Sequence, residues 1–228
     1  MNTSTRTRRG LAAIATLGLL AVPFAANADD DAVAAAPVAA SSSSGGAVMP
    51  VADVRDLANG DSTTVALDQG FLDALTSLKV TPKPLNDASL DGTDLSFPIT
   101  GGNASVFEKG AVRPYVIGTI FHENSGLQLA AGGTRVQIEN LTIDPGASKV
   151  YGDVSVNGKL AASNVYVFFA DGRTLNPLET DGSTATLQGT QVKLSSGAAD
   201  LLNETFGIQD LSGGLLIGTA TITIGLPS

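Results

Sequence analysis

The chain has 228 residues, 43% hydrophobic and 15% charged, with a formal net charge of −9, one histidine, and neither cysteine nor tryptophan. The lack of cysteine excludes disulfides, thiolate metal sites and cysteine nucleophiles. A single histidine leaves too few ligands for a typical catalytic zinc, and sparse, unclustered Lys and Arg argue against nucleic acid as a partner.

Residues 1–10 carry Arg6, Arg8 and Arg9 and no acid, residues 11–26 are apolar apart from Thr16, Gly18 and Pro23, and Ala26-Asn27-Ala28 follows. This is the pattern of a removable export signal over residues 1–28. The apolar run is shorter than the roughly 20 residues that span a bilayer, and Pro23 breaks it, so no membrane span is expected in the mature chain. The Arg8-Arg9 pair also admits a twin-arginine route, in which a protein folds before export. Removal of residues 1–28 takes away three of the 13 basic residues and none of the 22 acidic ones, leaving a net charge of −12. The expected location is exported, either periplasmic or extracellular at the cell surface. Residues 29–47, rich in Ala and Ser, read as a disordered tether, and residues 48–228 as a single β-rich domain.

Short alternating segments dominate that domain. Strands are expected at Asp94 to Ile99, Val112 to His122, Val150 to Val156, Asn164 to Phe169 and Thr186 to Leu194, separated by turn formers such as Gly132-Gly133 and Asp171-Gly172. Asn157-Gly158 is a hairpin signal. Leu216 to Ile224 alternates apolar residues with Thr219, Thr221 and Thr223. In Thr134 to Ile143, Val136 and Ile138 are out of phase with Leu141 and Ile143, and one extra residue near Glu139-Asn140, a bulge, would return them to one face. This spacing predicts a mainly β protein, an antiparallel β-sandwich or barrel-like domain.

Two segments break the pattern and resemble each other: Val65 to Leu75 and Val192 to Leu202 share Val, Leu, Gly, Asp and Leu at equal offsets. Each predicts a strand, a capping residue (Asp68 or Ser195) and a short helix, with Phe71, Leu72, Leu75 and Leu78, or Ala198, Ala199, Leu202 and Phe206, on the core face. Either one local solution was used twice or half a domain was duplicated.

Chemistry-bearing motifs are scarce, and no catalytic residue and no metal site is assigned. His122-Glu123 lacks the second histidine of a zinc protease. Ser125 lies too near His122 in sequence to complete a triad from a separate element, and no Gly-x-Ser-x-Gly elbow occurs. Asp87 to Asp94 and Glu179 to Gly182 lack calcium-loop spacing. No glycine-rich phosphate loop opens either helix, and no tryptophan offers a sugar-stacking platform. An extracellular hydrolase therefore ranks below a non-enzymatic binding or envelope-structural module, whose partner would be a small molecule or an envelope protein.

Four stretches carry a family resemblance: Phe97-Pro-Ile-Thr-Gly-Gly102, Gly118 to Leu129, Val136 to Asp144, and Leu201 to Thr221. Together they resemble exported bacterial β-rich proteins related to the HtaA-type haem-binding domain, over most of Val65 to Ile224. The resemblance implies haem as a cofactor, held by a tyrosine that a histidine supports, and hence a haem-binding or haem-relay alternative. His122 falls where that family has a His-Gly-Gly-Leu-like segment, here interrupted by Glu123-Asn124-Ser125. The resemblance places the ligand tyrosine in an N-terminal aromatic segment, whereas no tyrosine precedes Tyr115 in the mature chain; with His122, Tyr115 is the candidate for cofactor binding, and Tyr151 and Tyr166 are the others. Seven residues apart, Tyr115 and His122 would face opposite sides of one strand unless Gly118 marks a bulge.

Overall fold

A computed structural model describes residues 47–58 and 60–226; the expected signal peptide and all of the tether except Ala47 lie outside them. The first half of this region holds β1 (Ala52–Val54), β2 (Ser62–Leu67), α1 (Gln69–Ser77), β3 (Thr81–Asn86), β4 (Ser89–Asp91), β5 (Asp94–Pro98) and β6 (Gly101–Val106). Four long strands follow: β7 (Val116–Ala131), β8 (Thr134–Asp144), β9 (Lys149–Val156) and β10 (Lys159–Asp171). The chain ends with β11 (Glu179–Asp181), β12 (Thr184–Leu194), α2 (Ser196–Phe206) and β13 (Leu216–Gly225).

Every strand pair is antiparallel, in the order β1-β6-β7-β8-β9-β10-β12-β13-β2-β5-β4, with β3 added to β7 and β11 to β12. Strands β5 and β6 are separated only by Ile99 and Thr100, yet β5 pairs with β2 and β6 with β7. The handover is visible in the backbone: Ile99 N–H donates to Asp61 O, beside β2, whereas Thr100 N–H donates to Phe121 O on β7. One extended segment thus belongs to both ends of the ladder. The sheet curls onto itself, so of the two expected architectures the barrel-like one is formed.

The curl is produced by a row of bulges carrying asparagine. Asn140 sits at φ 54, between the pairs Glu139↔Asp153 and Thr142↔Tyr151, and the extra residue puts Val136, Ile138 and Leu141 all in the core. That is the bulge the apolar phase predicts. Two more flank it. On β7, His122 pairs with Leu141 and Gly126 with Glu139, so Glu123-Asn124-Ser125 form the bulge, with Asn124 at φ 51. On β10 one of three irregularities in the pairing with β9, between Ala162 and Val165, contains Asn164 at φ 49. Asparagine tolerates this left-handed backbone better than most residues. Side chains lace the row together: Asn124 N–H donates to Asn140 Oδ1 (3.0 Å), Asn140 Nδ2 to Asp153 Oδ2 (3.0 Å) and Asn164 N–H to Asp153 Oδ1 (2.9 Å). Bulges raise local twist and bend the strands that carry them.

Two expectations for β7 are corrected. It starts at Val116 rather than Val112, because residues 107–115 form a loop, and it runs past His122 to Ala131 because Glu123 to Gly126 bulge without ending the strand. Gly118 marks no bulge, since its pairing with Ala104 is in continuous register with its neighbours. Its φ of +133 and the approach of β6, which would put a Cβ 2.2 Å from Asn103 O, require glycine instead.

Both helices form behind the expected caps: Asp68 accepts from Gly70 N–H and Phe71 N–H, and Ser195 Oγ from Ala198 N–H. Strands β2 and β12, which lead into them, flank β13 on its two sides. Phe71 and Leu75 of α1 converge with Leu202 of α2 on Leu127, Leu129 and Ile217 of the sheet. None of the described helices is long and apolar enough to cross a membrane.

Asn140→Ala should cost about 1–3 kcal/mol, through two lost hydrogen bonds and a left-handed backbone that alanine resists. Asn140→Gly, which relieves the backbone but not the hydrogen bonds, should fall between. Urea unfolding of the three proteins measures the order.

Candidate functional site

The curled sheet does not fill itself. Its buried apolar residues form three clusters, centred on the helices, on Ile99-Ile120-Ile224 and on Val106-Val116-Leu187, rather than one continuous core. All three contribute walls to a cavity of about 680 Å³. Small side chains at inward positions, Ala104, Ala185 and Ala220, leave that space, and no helix residue lines it. The cavity reaches the loops 107–115, 145–148 and 172–178, which contribute its Lys and Arg side chains, while Thr63, His122 and Asp171 reach it from strands.

Both sequence-predicted site residues line this cavity. His122 is the inward residue just before the β7 bulge and is 1% exposed. Its Nε2 lies 2.8 Å from Thr63 Oγ1 on β2, and its ring packs edge-on to Phe97 of β5 at 6.2 Å. Its Nδ1 is the single buried side-chain polar atom among the described residues without a hydrogen-bond partner. Burial pushes its pKa down from 6.5 to about 4, while the backbone of Leu141 across the ladder favours the charged ring more weakly, from outside hydrogen-bond geometry. The imidazole is neutral at pH 7.

Tyr115 lies ahead of β7, in the loop, so its side chain reaches the cavity without any change of strand phase. Its hydroxyl donates to Leu175 O (3.0 Å), with Asn176 O at 3.3 Å, and burial pushes its pKa up, away from phenolate. Tyr151 and Tyr166 do not line the cavity; they pair across β9 and β10 with ring centroids 6.2 Å apart. Ser125 is fully buried, and its hydroxyl donates to the backbone carbonyl of His122, not to the ring, so the pair lacks the hydrogen bond that activates a serine nucleophile.

Sequence reasoning did not single out Thr63, Lys109, Arg113, Asp171 or Arg173, all of which line the cavity. The Asp171 side chain is 2% exposed and is held well below the usual carboxylate range, first by a two-bond contact with Arg173 (Nε to Oδ1 2.8 Å, Nη2 to Oδ2 2.7 Å) and then by Lys193 Nζ at 3.1 Å. Lys109 Nζ donates to Leu175 O, the carbonyl that also accepts from Tyr115, so the loops 107–115 and 172–178 are tied together. Among the described residues Arg113 has no ion pair.

No family model matches the chain, and no curated protein matches it in sequence. Solved structures do. The C-terminal domain of HtaA from Corynebacterium glutamicum superposes with a TM-score of 0.52 at 14% identity, covering 77% of this chain and 99% of that domain. The haem-binding protein HtaB of the same organism gives 0.48 at 11% identity, over 76% of this chain and 96% of that one. The chain has the HtaA-type fold.

Because the folded state resists protonating His122, the unfolded chain binds the extra proton between pH 6.5 and 4, and stability falls as the pH is lowered through that window. The loss should be on the order of 3 kcal/mol, complete near pH 4. His122→Gln should flatten this part of a denaturation profile taken against pH.

Proposed function

We propose that this protein is an exported, non-enzymatic binder of haem or a closely similar porphyrin, with the ligand inside the curled sheet. The observation that carries the reading is the apolar cavity of about 680 Å³ with a buried, neutral, incompletely bonded imidazole in its wall. The volume lies in the range of small-molecule and cofactor pockets, roughly 300–1,000 Å³. Such a space suits a guest, and an envelope-structural role has no use for it. The HtaA-type fold supports the same reading.

The residues present fit haem. The contact with Thr63 allows two tautomers: with Nε2–H donating to Thr63 Oγ1, Nδ1 of His122 would present a lone pair, the form in which imidazole binds metals, and with the Thr63 hydroxyl donating to Nε2, Nδ1 would carry the proton and would have to lose it to bind one. Haem bound there would supply an iron centre able to take an imidazole nitrogen as a ligand. The resemblance assigns the iron to a tyrosine, with a histidine behind it. In this chain the hydroxyl beside His122 belongs to Thr63, and that of Tyr115 is occupied by two carbonyls. His122 is therefore the proposed ligand, Thr63 its positioning residue, and Tyr115 part of the wall.

Haemin titrated into the purified protein should give a saturable shift of the Soret band at one equivalent. His122→Ala should weaken binding at least about tenfold and move the band, Thr63→Val should weaken it less, and Tyr115→Phe should leave the band in place. Thermal unfolding checks that each variant is folded. No saturable shift with the unmutated protein would remove the haem reading, and loss of the band in Tyr115→Phe but not in His122→Ala would move the ligand to the tyrosine.

A further inference from the structure

In an acidic protein, positive charge gathered at one cavity asks for an explanation. The whole chain carries −9, yet the cavity lining contains Lys109, Arg113 and Arg173 against a single acid, Asp171. These cations come from the two loops joined through Leu175 O. The three are not equivalent. Lys109 is committed to that carbonyl and lies 5.9 Å from the centre of the Tyr115 ring. Arg173 spends its Nε and one Nη2 hydrogen on Asp171, which fixes the plane of the guanidinium while leaving other N–H donors unused. Arg113 is exposed and has no carboxylate partner among the described residues. Deeper in, Val65, Leu141 and Ile222 make the walls apolar.

We infer that the cavity selects an amphiphile by its anionic end: an apolar body lies among the strands, and one or two carboxylates emerge between the loops, held by Arg113 and Arg173. Guanidinium presents paired N–H groups that match a carboxylate in two-point contact, and a site lined by one sign of charge attracts the opposite sign. Asp171 acts as a positioning residue, since it holds Arg173 in place and is itself compensated by Lys193. The inference deepens the haem reading, because haem carries two such carboxylates on one edge, but it concerns the loops rather than the iron and can stand or fall separately.

The test compares charged and neutral forms of one apolar body. Haemin and its dimethyl ester, and a fluorescent long-chain fatty acid and its methyl ester, are titrated into the unmutated protein, Arg113→Gln, and Arg135→Gln as a surface control outside the cavity lining. Arg113 makes no ion pair among the described residues, so its replacement should leave folding intact, which a thermal melt verifies. The unmutated protein and the control should prefer the acid of a pair over its ester by about tenfold at low salt, and Arg113→Gln should lose most of that preference. Added salt should narrow the gap. If haemin and its ester bind equally well, the inference is overturned and the haem reading survives. If haemin fails to bind but the fatty acid is preferred over its ester in a manner that depends on Arg113, the haem reading falls and the inference survives. If no pair is discriminated, the inference is wrong.

Discussion

Everything in this structure depends on one segment serving two ends of the same sheet. Residues 94–106 leave β2 at Ile99 and join β7 at Thr100, so the ladder returns to its own beginning. An antiparallel sheet of this length either splits into two packed layers or encloses a space. Here the bulge row of Asn124, Asn140 and Asn164 bends the long strands, and a space is retained, with Ala104, Ala185 and Ala220 among its inward side chains. His122 and Thr63 sit at the closing seam, where β7 and β2 come within hydrogen-bond distance although they lie far apart along the strand order. The candidate site is thus a consequence of closure.

That position explains why one buried polar group is tolerated. A neutral imidazole with one nitrogen unpartnered costs on the order of 1–3 kcal/mol in a core that could have used leucine. A threonine on a strand interior serves no packing purpose that valine would not serve as well. Two polar residues, from strands 59 positions apart in sequence, meet in an otherwise apolar wall and leave one nitrogen free. An arrangement that reduces stability is the usual mark of a site shaped for something other than folding.

What the sequence disclosed follows the same physics. The helices were legible because Asp68 and Ser195 must satisfy free N–H groups, and capping leaves a local signature. The bulge at Asn140 was legible because apolar pairs on both sides of it were out of phase. The bulges at Asn124 and Asn164 were hidden, since their polar surroundings offer no phase to break, and Glu123 to Gly126 read as the end of a strand that in fact continues. The cavity was invisible for a deeper reason. An inward Val, Leu or Ala has the same pattern whether it packs against a partner or lines a void, and only the closed geometry reveals that the volumes do not add up. Thr63 lay in a strand with no chemical signature, and Arg113 and Arg173 were simply loop residues until two loops were tied at Leu175 O.

The strand-cap-helix unit that occurs twice gives this geometry its direction. Strands β2 and β12 flank β13, and each delivers a helix to the same apolar cluster, so Phe71, Leu75 and Leu202 fill the part of the interior that they reach. Where the helices pack, the protein behaves as an ordinary core. Beyond their reach the walls have no plug, and the boundary is formed by the loops that carry Lys109, Arg113 and Arg173. A plug of side chains at one place and a rim of cations at another would leave the proposed guest few orientations: its apolar part would go where the helices do not, and any charge it carries would stay with the loops. The likeness between Val65–Leu75 and Val192–Leu202, whether inherited or reached twice, therefore matters less for what those residues touch than for the volume they leave empty.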